Sequence, residues 1–105
     1  MPEIKAGVLT TGKKWHIVLC AKPDSNLIEG KHLILECVDQ LKPDQLTLGE
    51  LTELRLIAFQ VAEELATEPG RWRLDFNGPA AAIRGHFHAH IKLPSGQDKL
   101  ARLAG

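Results

Sequence analysis

No stretch of this sequence approaches the roughly 20 consecutive apolar residues that cross a bilayer. Its start, MPEIKAGVLTTGKKWHIVLC, lacks the apolar core behind a basic end that marks a signal peptide. A cytosolic protein with no membrane partner is expected. Net charge is also missing, because 13 lysines and arginines balance 13 aspartates and glutamates. A broad nucleic-acid footprint needs a cationic excess, so none is expected, although a local charge cluster is still allowed. Cysteine is scarce. Cys20 and Cys37 stand singly in apolar stretches and form no CxxC pair, which reads as buried, reduced thiols rather than a disulfide framework or a metal site. There is no repeat, low-complexity tract or linker, and 105 residues suit one domain spanning 1–105.

What is present is patterned for an α+β fold. Residues 4–10 and 15–21 read as strands joined by a turn at TTGKK. KPDSNLIEGK is a loop by composition, HLILECV (32–38) a buried strand, and LKPDQLT a second loop. Thr47 followed by Glu50 matches a capping box. Behind it, Leu51, Leu54, Ala58, Val61 and Leu65 recur at spacings of three and four, predicting a helix to about Thr67 that Pro69 and Gly70 end. Leu56, Ile57 and Phe59 widen its apolar surface, which suits either a helix sunk in one core or one covered by a second subunit. RWRLDFN (71–77) alternates as a strand, Asn77-Gly78-Pro79 breaks it, and a last strand follows. SGQDKLARLAG is read as a short helix or a frayed tail. Strands, one long helix and two further strands predict a largely antiparallel sheet.

The chemistry is concentrated in GHFHAHIKLP, residues 85–94, which holds three of the five histidines. In a strand, Arg84, His86, His88, His90 and Lys92 share one face, each roughly 7 Å from the next. Gly85, Phe87, Ala89, Ile91 and Leu93 share the other and belong on the core. A row of basic groups with an apolar back suits an anion. A neutral middle imidazole can attack through one ring nitrogen if the other is held as N–H against an acceptor, while its neighbours donate to phosphoryl oxygens. A His-rich metal site is the competing reading.

GHFHAHIKLP resembles the His-x-His-x-His signature of the histidine triad family of nucleotide hydrolases and transferases. The resemblance runs from about Ile17 to Pro94. It implies a five-stranded antiparallel α+β fold, usually a homodimer, with no cofactor and no metal at the triad. It also implies that His88 attacks the α-phosphorus of a nucleotide conjugate, such as an adenosine phosphoramidate, aminoacyl adenylate or dinucleoside polyphosphate. A nucleotidyl-histidine forms, and water then releases the nucleoside monophosphate. By the same resemblance His90 assists the leaving group, His86 orients the phosphate or His88, and His32, which opens HLILE, supports the network. Asp24 takes the place of the acid that binds the ribose hydroxyls, and Asn77 that of an asparagine near the phosphate.

The chain departs from the family at several points. GPAAAIRG replaces a glycine-rich phosphate loop, with Ile83 where a hydroxyl residue stands, so Arg84 and Lys92 are the candidate substitute phosphate contacts. Glu36-Cys37-Val38 replaces an Ile-Pro-Lys stretch, and Lys22 stands where an aromatic is common. A non-catalytic nucleotide- or phosphate-binding dimer is therefore the alternative to an enzyme. His16 has no partner visible in the sequence.

Overall fold

The computed structural model describes residues 3–20, 32–76 and 86–104. It contains strands β1 (Glu3–Val8), β2 (Lys14–Cys20) and β3 (His32–Cys37), then helix α1 (Leu48–Leu65), β4 (Arg73–Phe76), β5 (His88–Lys92) and helix α2 (Gln97–Ala104). The five strands form one sheet in the order β1-β2-β3-β5-β4. Every pairing is antiparallel. The expected α+β class with one long and one short helix is observed. The final segment is helical, and the loop expected at LKPDQLT tightens into a 3-10 turn at Pro43–Gln45.

Local chemistry sets the element ends. The β1–β2 turn closes by Leu9 N–H donating to the Lys13 carbonyl (2.8 Å) and Gly12 N–H to the Leu9 carbonyl (2.8 Å). Gly12 sits at φ +97°, a conformation that a side chain would strain. Within β1, Gly7 faces Trp15 in register, and a Cβ there would lie 2.5 Å from the indole. The α1 capping box is complete. Thr47 Oγ1 accepts from Glu50 N–H at 3.1 Å, and Glu50 Oε1 accepts from Thr47 N–H at 2.8 Å. The helix stops at Leu65, two residues short of the expected end, because Ala66 turns extended at ψ 132°.

Glu50 does more than cap. Its other carboxylate oxygen accepts from Lys13 Nζ at 2.6 Å and from the Thr11 hydroxyl, tying the first hairpin to the helix N-terminus. The Lys13 and Thr11 hydrogen bonds hold its carboxyl at about 2, well below the usual range. A fully buried carboxylate survives here because its lone pairs are engaged.

The sheet has two distinct faces. Trp15, Ile17, Leu19, Leu33, Leu35, Phe87, Ala89, Ile91 and Leu93 point inward and pack against Leu54, Ala58, Val61 and Ala62 of α1 and Leu100 of α2. The apolar back of the histidine segment is thus in the main core, as alternation required. Cys37 joins this core and Cys20 the other face, and both are buried free thiols. Burial and the nearby Glu50 push the Cys37 thiol up, away from thiolate chemistry. On the opposite face Val18, Cys20 and Ile34 form a small separate cluster. The deep-core reading of the wide α1 face is corrected: Leu56 is 58% and Phe59 49% exposed, because they lie off the stripe that meets the sheet. Among the described residues, no helix is long and apolar enough to cross a membrane.

Candidate functional site

β5 lies between β3 and β4, so the histidine segment occupies the interior of the sheet. Its outward residues meet those of its neighbours in register: Glu36 opposite His88, Ile34 and Asp75 opposite His90, and Arg73 opposite Lys92. On the far side of β3, Cys20 pairs with His32 and His16 with Glu36. The structure therefore brings His86, His88, His90 and His32 into one row. Successive ring centroids are 5.8 Å (His86–His88), 5.2 Å (His88–His90) and 5.1 Å (His90–His32) apart. The rings lean together, closer than the roughly 7 Å of an even strand spacing.

The expectation that His86 lies on the same strand as His88 is corrected. β5 begins at His88, and His86 sits in a bend before it. That bend matters chemically. The His86 carbonyl faces His88 Nδ1 at 3.2 Å. A carbonyl oxygen only accepts, so Nδ1 carries a proton, and in the neutral ring the lone pair is on Nε2. Attack through Nε2 would require this tautomer.

Two carboxylates that strand periodicity did not reveal stand on this face. Glu36 bridges two imidazoles, accepting from His16 Nε2 at 2.8 Å and from His86 Nε2 at 3.0 Å. Its burial opposes ionisation, but the hydrogen bonds and charges of His16 and His86 outweigh it and hold the carboxyl below its usual range. His16, which showed no partner in the sequence, also approaches Glu3 through Nδ1 at 3.5 Å. Asp75 accepts from Lys92 Nζ at 2.6 Å and from Arg73 Nε at 3.0 Å. The Lys92 hydrogen bond is the main reason its carboxyl is lowered. Lys92 is thus buried and ion-paired, and the row is not the uniformly cationic strip that its own strand suggested. Glu36 had one legible signal: it is the only acid in the apolar run HLILECV, two and four residues from Ile34 and His32 on the same face. A buried acid demands partners. Its partners come from other strands, so the sequence could not name them.

No known protein family, curated protein or solved structure matches this chain. The chemistry of the site is accordingly read from its own geometry. Of the eight site residues expected from the sequence, His32, His86, His88, His90 and Lys92 lie on this face. Asp24, Asn77 and Arg84 lie outside the described residues, as do Lys22 and Ile83. Among the described residues, no group of three or more His, Cys, Asp or Glu side chains has a geometry that would hold a metal ion.

Proposed function

We propose that this chain is a cytoplasmic nucleotidyl hydrolase or transferase of the histidine triad type, with His88 as nucleophile. The observation that carries the reading is the Nδ1–H bond from His88 to the His86 carbonyl, which puts the lone pair on Nε2 within a row of four imidazoles. Nε2 attacks the α-phosphorus of a nucleoside phosphoramidate or related conjugate. A P–N(His) bond forms, the bond to the leaving amine breaks, and the amine takes a proton from His90. Water then attacks the same phosphorus, its proton passes to His90, and the nucleoside monophosphate leaves with the His88 lone pair restored. His86, whose Nε2–H is held by Glu36, orients His88 through its carbonyl, and His32 supports the network, while Asp24, Asn77 and Arg84 take the ribose and phosphate contacts that the family resemblance implies. The fit to a purine base rests on that resemblance as well.

The test is intact-mass spectrometry after rapid quench, with wild type and His88→Ala each mixed with an adenosine phosphoramidate. A transient adenylyl adduct on wild type alone, with AMP released, supports the proposal. No adduct and no AMP from adenosine and guanosine phosphoramidates and a bis-nucleoside polyphosphate would move the function to non-catalytic phosphate binding.

The same reading includes a homodimer. Leu56 and Phe59 line a groove of about 520 Å³ with Arg55, Trp72, Arg73 and Leu74. The groove adjoins β4, an edge strand whose outer backbone groups can pair with a second copy across a two-fold axis. Phe59 stacks edge-on against Trp72 at 4.9 Å, giving a rigid aromatic anchor. Phe59→Glu is expected to yield monomers in sedimentation velocity where wild type sediments as a dimer. A monomeric wild type at micromolar concentration would remove the dimer from the reading.

A further inference from the structure

Glu36 and His16 are not used by the chemistry above, yet through His86 they lead directly to the proposed nucleophile. Glu36 Oε2 holds the ring of His86, and the carbonyl of that same residue receives the His88 Nδ1 proton. His86 lies in the bend before β5, outside the paired residues of the strand. The peptide that carries its carbonyl is held from one side by Phe87 N–H donating to the Leu41 carbonyl at 2.7 Å, and the ring contact with Glu36 is the second tie, the one that reaches the outer face of the sheet. The second oxygen of Glu36 is held by His16, and His16 approaches Glu3. Side-chain exposure rises along this line, from 8% at His86 and 12% at Glu36 to 21% at His16 and 56% at Glu3. The groups facing Glu36 are thus His16 from β2, with Glu3 of β1 behind it, and His86 and His88 from the β5 segment.

We propose that Glu36 is a positioning residue: by anchoring the His86 ring it keeps the His86 carbonyl against His88 Nδ1 and so holds His88 in the tautomer with its lone pair on Nε2. An ionised carboxylate suits this role because it accepts from two rings at once, through separate oxygens. A glutamine in its place is neutral, accepts through one oxygen only, and meets the second ring only if that ring turns an unprotonated nitrogen to its N–H, so the charge-assisted hold on the two rings is lost. Without the anchor, the His88 proton can move between its nitrogens. The depressed Glu36 carboxyl supports the geometry, since it keeps the clamp charged down to acid pH.

The inference rests on the reading of His88 as the nucleophile, so its test avoids activity. Protein labelled with ¹⁵N-histidine is studied by long-range ¹H–¹⁵N NMR at neutral pH, with ring signals assigned by single substitutions. Wild-type His88 is expected to show a protonated Nδ1 and a bare Nε2. Glu36→Gln is expected to lower the ratio of that tautomer to the other by about tenfold, the scale set by loss of one hydrogen bond to a charged group. Should Glu36→Gln fail to fold, the double variant His16→Leu/Glu36→Leu replaces the cross-strand polar pair with apolar residues, a change that folds often tolerate. The same tautomer loss is expected there. A folded variant of either kind with an unchanged His88 tautomer overturns the proposal, and so does wild-type protein lacking the Nδ1–H form. The two readings fail separately. A tautomer shift without any wild-type adduct retains the positioning role and removes the nucleophile, while an adduct with an immovable tautomer does the reverse.

Discussion

His88→Ala is expected to lower turnover of an adenosine phosphoramidate by about 10⁴-fold or more, the scale on which loss of a nucleophile held by its partners acts. The physical reason is that the structure has already fixed three things about this imidazole. Burial between His86 and His90 restricts its ring. The His86 carbonyl selects its tautomer. The β3 and β4 ladders on either side hold its strand. Acting as the proposed nucleophile, an imidazole so oriented gains effective concentration that a diffusing one lacks. The alanine variant leaves a space of imidazole size against Ile34 and Glu36, the outward residues of the neighbouring strand. Free imidazole at tens of millimolar is therefore expected to restore part of the lost turnover, with rate rising in proportion to its concentration. Activity of His88→Ala within tenfold of wild type would show that the phosphorus is attacked by something else. Absence of rescue would show only that the space collapses, so the size of the loss is the decisive reading.

The second large effect is on stability in acid. Glu36, Glu50 and Asp75 all have carboxyls held below their ordinary values, Glu50 at about 2. The native state thus binds fewer protons than the unfolded chain in the acid range, and stability falls as pH falls. Their contribution is complete above the ordinary carboxylate range near pH 4 and is lost as pH drops through the folded values. Thermal melts are expected to be flat above about pH 5 and to decline steeply towards pH 2. Asp75→Ala isolates one part of this. It leaves the Lys92 ammonium, whose side chain is only 6% exposed, without its carboxylate. Asp75 is itself partly exposed and shares its charge with Arg73, so solvent screening reduces the cost below that of a fully buried pair. A loss of about 2 kcal/mol at pH 7, or roughly 8 °C in Tm, is expected, with a shallower acid decline. Glu50→Gln should flatten the decline between about pH 4 and 2, because it removes a carboxyl held at about 2. A wild-type melt independent of pH down to 2 would contradict the hydrogen bonds assigned to all three.

Much of this molecule was legible before any coordinates. Period-two alternation placed Phe87, Ala89, Ile91 and Leu93 in the core and the histidines on the opposite face, because a strand turns alternate side chains to opposite sides. Thr47 and Glu50 announced the start of α1, because the capping box is a local contact three residues long. His86, His88 and His90 stood out for the same reason: their relation lies within six positions of one segment.

What the tertiary structure alone decided is everything that crosses between strands. The order β3-β5-β4 put Glu36 and Asp75 beside the histidine strand and gave a basic row its counter-charges. Sequence periodicity describes one strand at a time and is silent about register. His16 and Glu36 are 20 residues apart, and Glu36 and His86 are 50 apart. The bend that separates His86 from β5 is likewise invisible in an alternating pattern, yet it presents the carbonyl that selects the His88 tautomer. The residues proposed for the chemistry were thus legible in the sequence alone, whereas the protonation geometry that would let one of them act was decided by the bend before β5 and by the cross-strand partners that hold it.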